Sequence, residues 1–290
     1  MDWLGLSLVS AFALATADTL TKRYLSHYRA GDLVLVRFGV TGVLLLPLLA
    51  ARPWPELPLP FWYWIAALLP FEILAMWLYM AAIRQSPLSL TLPYLAFTPV
   101  FNTLTAYLLL GETVTLQGFS GIALVVCGAW LLNLESARND RGLDVFAPFR
   151  AIVRERGSRL MLIVALLYSL TSVLGKGALQ YVTPGFFGPF YFVLLGLVTT
   201  LLLSLNNFRP LQLLTRHPWA HIGVGLFMAL MVLTHFYAIA HVEVAYMIAV
   251  KRTSLLFGML YGAWLFAETG LVKNLVAGVL MILGILLIVG

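Results

Sequence analysis

Hydrophobic residues along the chain fall into ten runs of about 20 positions, separated by short polar connections. A helix of that length crosses the ~30 Å hydrocarbon core of a bilayer. The runs therefore predict an all-α integral membrane protein with ten transmembrane helices. The predicted spans lie at about 3–21, 33–50, 61–82, 88–110, 114–133, 160–180, 185–205, 218–239, 244–266 and 271–289.

One connection is much longer than the others and separates two halves of five predicted spans, 1–133 and 160–290. This connection, 134–159, carries six arginines and four acidic residues around a few apolar positions. The pattern fits either an amphipathic helix lying on the membrane surface or a plain solvated linker, and both interpretations are open.

The second half repeats the first. Residues 82–113 align without a gap onto residues 238–269, at an offset of 156. An offset of 154 aligns the ends of the first and sixth spans, including Lys22 with Lys176. Because each half has an odd number of spans, the halves must insert in opposite orientations. The chain is therefore predicted to form two inverted five-helix repeats, with a binding site near the midplane.

Composition and charge support a membrane location. The chain is 61% hydrophobic and 10% charged, against about 45–50% and 25% in soluble domains. The net charge of +6 does not indicate a nucleic-acid partner, because the basic residues lie mostly in the connections. Odd-numbered connections hold 13 of the 18 Lys and Arg residues, which places both termini outside by the positive-inside rule. We expect a bacterial inner membrane protein, and its lone Cys127 allows no internal disulfide.

Charged residues inside the spans are the candidate functional groups, since each costs roughly 2.5–3.5 kcal/mol on insertion scales. Lys251 and Arg252 are adjacent and lie about eight residues, roughly 12 Å, into the ninth span. A guanidinium fork suits two phosphate or carboxylate oxygens, and Lys adds a point charge. With Lys176 they predict an anion-binding centre. Pairing of the cations with Glu72 and Asp18 is the structural alternative.

The other intramembrane charges have simpler explanations. Asp18 precedes Lys22 by one helical turn, which favours a local pair. Arg37 is close to the end of its span and either snorkels or forms a structural ion pair. Glu72 either neutralises a central cation or carries a coupling proton. His235 is either a satisfied buried histidine or a proton relay.

Uncharged polar residues lie at spacings of three and four along the fourth span, and two more share a face of the ninth. We expect these residues to shape the substrate cavity, with interfacial placement as the alternative for the tyrosines. They are Thr91, Tyr94, Thr98, Asn102, Tyr246 and Thr253. Gly258 and Gly262 form a GxxxG pattern that close helix packing explains.

Several motifs resemble the drug/metabolite transporter superfamily, specifically its ten-helix EamA-type members. They are the run from Pro87 to Pro99, Leu-Gly-Glu-Thr at 110–113 and Ala-Glu-Thr at 267–269. Members are often drawn with cytosolic termini, so the resemblance and the charge count disagree on orientation.

A closer resemblance concerns the cations. Triose-phosphate translocators of the same superfamily carry a Lys-Arg pair in the ninth helix and a lysine in the sixth, which together hold the substrate phosphate. Here the matching positions are Lys251, Arg252 and Lys176. The resemblance therefore implies that these three residues contact a phosphate.

Together these features predict a secondary transporter of a small anionic, phosphate- or carboxylate-bearing metabolite, working by alternating access as an exchanger. The alternative is a proton-coupled exporter of amino acids or small amphipathic compounds. No P-loop, metal-binding helix or catalytic triad occurs in the sequence, so we expect neither an enzyme nor a cofactor nor a metal. The expected partners are the anionic solute and membrane lipid; a homodimer is left open.

Overall fold

The computed structural model describes residues 2–85, 92–136, 156–204, 217–266 and 275–290. Every regular element in those ranges is helical, with a π-helical segment at Val36–Val40 and a 3-10 helix at Leu92–Phe97. The α-helices are α1 (Trp3–Leu25), α2 (Ala30–Leu35), α3 (Thr41–Ala50), α4 (Leu59–Gln85), α5 (Thr98–Leu110), α6 (Leu116–Ser136), α7 (Arg156–Leu179), α8 (Pro184–Ser204), α9 (Pro218–Ile239), α10 (Val244–Lys251), α11 (Ser254–Phe266) and α12 (Leu275–Val289).

The described helices confirm the predicted membrane fold. Seven helical stretches are long and apolar enough to cross a membrane, and three shorter helices are apolar as well. Together these stretches fall on the ten predicted spans. Most of the predicted connection 134–159 lies outside the described residues, as does Thr91.

Local sequence explains where several helices begin and end. The Asp2 carboxylate accepts a hydrogen bond from the Gly5 N–H at 2.9 Å, which caps the start of α1. Asp32 accepts from the Arg29 N–H at 3.1 Å and does the same for α2. Gly111 ends α5 in the left-handed region, with φ of 69°, a conformation that glycine adopts without a steric penalty.

The chain divides into two compact units. Unit 1 comprises Met1–Trp77 and Leu174–His241, and unit 2 comprises Leu78–Val173 and Val242–Gly290. Each unit therefore combines helices from both sequence halves.

In unit 1, α1 packs along α9, and α3 packs along α8. A Cβ added at Gly42 of α3 would lie 2.8 Å from the Phe192 carbonyl oxygen of α8. A Cβ added at Gly196 of α8 would lie 2.7 Å from the Phe38 carbonyl oxygen. An offset of 154 in the sequence relates Gly42 to Gly196 and Phe38 to Phe192. Each of the two contacts is therefore the repeat-related copy of the other. The two repeats therefore make equivalent contacts with each other here.

Unit 2 contains a second helix pair of this kind, α6 with α12. A Cβ added at either Gly121 or Gly284 would lie 2.6 Å from the other residue's carbonyl oxygen. Gly128 lies against the Ala277 carbonyl, at 2.7 Å by the same measure. An offset of 156 relates Gly121 to Ala277 and Gly128 to Gly284, so the two contacts are repeat-related copies of each other. Contacts that exchange in this way imply a local two-fold axis, as inverted repeats require.

Candidate functional site

The ninth predicted span is interrupted at its two adjacent cations. Helix α10 ends at Lys251, Arg252 and Thr253 form a turn, and α11 begins at Ser254. The Thr253 N–H and hydroxyl both donate to the Val250 carbonyl, at 3.0 and 2.8 Å. Bonds of this short range tighten the backbone and compete with the regular helical pattern. The predicted span at about 244–266 is confirmed as a membrane-spanning stretch, Val244–Gly262, and the sequence does not signal the turn inside it.

The break lies within unit 2 and carries both cations. Arg252 is 9% exposed, and Lys251 is partly exposed. Interrupted spans are places where secondary transporters commonly form solute sites. Here the backbone stays hydrogen-bonded through the turn, because the Arg252 N–H donates to the Ile248 and Ala249 carbonyls and the Arg252 carbonyl accepts from the Leu255 N–H. The position of the break is therefore consistent with the predicted anion contact of these two residues.

Glu112 anchors the opposite end of α10. Its Oε2 accepts a hydrogen bond from the Val244 N–H at 2.8 Å, at the first residue of the helix. A carboxylate at a helix N-terminus satisfies an otherwise unbonded N–H and interacts favourably with the helix dipole. Sequence analysis missed this role of Glu112, although the Leu-Gly-Glu-Thr motif was a signal for it. Gly111 turns the chain after α5, and Glu112 then bonds to α10.

Tyr246 packs against the same connection. Its hydroxyl accepts a hydrogen bond from the Thr115 N–H at 2.9 Å. An added Cβ at Gly118 would lie 2.1 Å from that hydroxyl oxygen, so the tyrosine occupies the space left by the glycine. Tyr246 therefore helps to fix α10 against the start of α6. Its contact with substrate stays a prediction.

The polar stripe of the fourth span is fully buried within unit 2. Tyr94, Thr98 and Asn102 have no exposed surface. Thr98 donates to the Leu95 carbonyl at 2.7 Å, which satisfies its hydroxyl locally. Neither amide atom of Asn102 has a hydrogen-bond partner within the described part of the chain. Tyr94 lies in the 3-10 helix and Thr98 and Asn102 in α5, and the role of these residues in binding substrate stays a prediction.

Lys176 lies in unit 1, in the last turn of α7, and is partly exposed. The glycines on either side of it let other helices approach closely. A Cβ added at Gly177 would lie 2.7 Å from the Trp64 ring of α4, and one at Gly175 would lie 3.3 Å from the Phe236 ring of α9. The glycines of the Leu-Gly-Lys-Gly-Ala motif are thus explained by packing. Participation of Lys176 in one site with Lys251 and Arg252 stays a prediction.

Asp18 and Arg37 form an ion pair inside unit 1. Arg37 is 2% exposed, and its Nη2 also donates to the Thr21 hydroxyl at 3.4 Å. Snorkelling is excluded for Arg37 by this burial, and the predicted structural ion pair is confirmed. The sequence favours a local pair of Asp18 with Lys22, which stays a prediction, and does not identify Arg37 as a partner. The partner comes from the second span, within the π-helical segment, so helix periodicity on α1 alone could not identify it.

The remaining candidates also lie in unit 1. Glu72 is partly exposed on α4, and His235 is 9% exposed on α9. Their coupling roles stay predictions.

Gly258 has open space beside it, because no described atom lies within 4 Å of an added Cβ. Among the described residues nothing packs against Gly258, whereas Gly262 is buried, so close packing at this GxxxG pattern stays a prediction. No group of three potential metal ligands occurs among the described residues.

Comparisons with known proteins agree with this architecture. The model of the EamA-like transporter family matches residues 1–134 and 156–290. A solved crystal structure superposes with a TM-score of 0.70 at 13% identity, covering 98% of this chain and 95% of that one, which shows a shared fold.

Curated relatives match over a shorter region. Probable 4-amino-4-deoxy-L-arabinose-phosphoundecaprenol flippase subunits ArnE from Yersinia pseudotuberculosis serotype O:1b (strain IP 31758) and Yersinia pestis (strain Pestoides F) are 36% identical over 70 residues. That match covers 24% of this chain and 61% of each relative. The family match covers both sequence halves and agrees with the membrane-spanning helices of the fold. The chain therefore belongs to the EamA-like transporter family and is a multi-pass inner membrane transporter.

Proposed function

We propose that this transporter carries a small anionic metabolite across the membrane by alternating access, and that Lys251 and Arg252 bind the anion. The observation that supports this most directly is the interruption of the ninth span at these two cations. Placing charge within a membrane span is costly, and an anionic solute bound beside the turn would add favourable interactions with these cations.

The chemistry of the pair favours a phosphate or a carboxylate. The Arg252 guanidinium can donate two parallel hydrogen bonds to such a group, and the Lys251 ammonium supplies a compact charge. Asp18 is paired with Arg37 within unit 1. This pairing weakens the alternative in which Asp18 neutralises the cations of the ninth span.

The same charges suggest exchange rather than net transport. Changing conformation without substrate would remove water from these cations, which is unfavourable. A bound anion offsets this cost, so the loaded carrier should change conformation more readily than the empty one. Glu72 is the group that could relax this coupling, by acting as an internal counter-ion or by carrying a proton.

The test is uptake of radiolabelled inorganic phosphate and of phosphate-bearing and carboxylate-bearing metabolites into proteoliposomes. We expect uptake to require unlabelled substrate inside, and to fall at least tenfold in Lys251→Ala and Arg252→Ala. Arg159→Ala is the matched control, because Arg159 is an exposed cation of unit 2 near the start of α7. Unchanged uptake in the first two variants would refute anion binding by this pair, and equal uptake into empty vesicles would refute obligatory exchange.

A second candidate is the translocation of a lipid-linked, phosphate-bearing sugar, suggested by the names of the matched relatives. It uses the same cations for the phosphate and differs in requiring a lipid tail. Fluorescent lipid-phosphate scrambling that depends on Arg252, without uptake of soluble phosphates, would favour it.

Proton-coupled export is the further alternative. Transport lost in Glu72→Gln but retained in Lys251→Ala and Arg252→Ala would favour that mechanism.

A further inference from the structure

Unit 1 contains a cavity that none of the predicted transport residues lines. It has a volume of about 480 Å³ and opens between the connection after α3 and the connection between α7 and α8. It is an open, shallow groove, which would leave much of a bound molecule in contact with solvent. The wall combines one cation, aromatic rings and uncharged polar side chains, from Arg52, Trp54, Gln180, Tyr181, Thr183 and Phe186.

The Arg52 guanidinium lies against Gly185, in the first turn of α8, where a larger side chain would collide with it. A Cβ added at Gly185 would lie 2.9 Å from the Arg52 Nη1 atom and 2.5 Å from the Tyr237 hydroxyl oxygen. Two hydrogen-bonding groups therefore converge over one glycine. Within the ranges that the structure describes, neither the guanidinium nor that hydroxyl has an ion-pair or hydrogen-bond partner.

The aromatic side of the cavity is fixed by ring contacts. The Trp54 ring meets the Phe186 ring edge-on at a centroid distance of 5.5 Å, and the Phe190 ring at 6.0 Å. Trp54 is nevertheless 63% exposed, so one face of the indole remains available to a ligand. A cation beside an exposed, fixed aromatic surface suits a molecule with one anionic end and one apolar end.

The distribution of charge in the sequence gives independent support. Among the connections, Arg52 is the only Lys or Arg outside the odd-numbered ones. Topology selection therefore does not explain a cation at this position. Interfacial anchoring alone would not require a glycine beneath the guanidinium either, because a snorkelling side chain needs only access to water.

We propose that this cavity binds the phosphate group of an amphipathic molecule, with Arg52 donating to the phosphate oxygens and Trp54 contacting the adjoining apolar part. Two sources can supply this chemistry, a phospholipid headgroup or a soluble phosphorylated compound. The cavity is lined by none of the residues proposed for transport, so the inference does not depend on the proposed function.

The test is calorimetric titration of the purified full-length protein with three probes. These are dihexanoyl phosphatidylglycerol, glycerol 3-phosphate and dihexanoyl glycerol, which lacks the phosphate. We expect saturable binding of a phosphate-bearing probe, weakened about tenfold or more in Arg52→Gln, because a hydrogen bond to a charged group is lost. Gly185→Ala should weaken binding as well, by displacing the guanidinium. Arg23→Gln is the matched control, because Arg23 is an exposed cation of unit 1 whose guanidinium lies 5.5 Å from the Tyr24 ring centre.

The outcomes separate the two sources and the ordinary explanation. Binding of the phospholipid without glycerol 3-phosphate assigns the cavity to a lipid headgroup, and binding of both assigns it to phosphate esters in general. Equal binding of dihexanoyl glycerol, absence of saturable binding, or unchanged affinity in both variants would refute the proposal and leave Arg52 as an interface anchor. Melting temperatures of the variants confirm that they are folded, and Gly185→Ala provides the test if Arg52→Gln is not.

Discussion

Individual charged residues in this chain differ in what their neighbours allow them to do. The Arg37 guanidinium is buried and paired with Asp18, so its charge is neutralised within unit 1. Arg252 is similarly buried but lies at a helix break of unit 2. Arg52 is exposed at a cavity rim. The same side chain therefore serves as a structural ion partner in one place and as a candidate anion ligand in the other two.

The structural role of the Asp18–Arg37 pair predicts the effect of removing one partner. Asp18→Asn should leave a buried guanidinium uncompensated and lower stability by about 2–4 kcal/mol, toward the low end because Asp18 is partly reached by water. The measurement is thermal unfolding of the purified variant in detergent. The double variant Asp18→Asn, Arg37→Met should regain most of the loss, since it removes both charges. An unchanged melting temperature in the single variant would mean that the pair contributes nothing.

At the scale of helices, the ninth span consists of two short helices, α10 and α11, and contacts with the connection between α5 and α6 fix the position of α10. Helix α10 is bonded at its first residue to Glu112, and Tyr246 is fixed over Gly118. These contacts hold the N-terminal half of the span while the turn at Arg252–Thr253 separates it from α11. An eight-residue helix has little intrinsic stability, so its position depends on such contacts.

We therefore expect Glu112→Ala to loosen the start of α10. The Val244 N–H would lose its acceptor, at a cost of about 1 kcal/mol, which corresponds to roughly fivefold faster amide exchange in the first turn. Hydrogen–deuterium exchange followed by mass spectrometry measures this directly. Thr113→Ala is the control, because the Thr113 side chain is exposed and forms no hydrogen bond within the described residues. Equal exchange in the two variants would contradict the anchoring role of Glu112.

The sequence predicted the helices well and the contacts between them poorly, for physical reasons. Apolar runs of membrane-spanning length leave few alternatives to a helix, so the ten spans are confirmed. The break after Lys251 was missed because residues 250–254 contain no proline or glycine to signal it. The partner of Asp18 was missed because it lies 19 residues away, on another helix, whereas helical periodicity reports only neighbours one turn apart.

For the whole molecule, the repeat explains how one packing solution is used twice within each unit. The offset of 154 relates the glycine contacts of α3 and α8, and the offset of 156 relates those of α6 and α12. Helices α5 and α11 also begin and end at an offset of 156. The two residues of difference must therefore fall between the second and fourth spans. A local insertion of that kind leaves each helix pair intact, because each pair uses a single offset.

The orientation of the chain in the membrane is predicted by the distribution of its basic residues and can be measured. The charge bias, 13 of 18 basic residues in odd-numbered connections, predicts that the first connection is cytoplasmic and the second external. In a Cys127→Ser background, Glu56→Cys should react with an impermeant maleimide on intact cells, and Ser26→Cys only after permeabilisation. Both native side chains are exposed, so each cysteine should react once reagent reaches it, which serves as the control. The reverse pattern would place the termini in the cytosol, as the resemblance to the superfamily implies, and would turn the cavity at Arg52 toward the cytoplasmic leaflet.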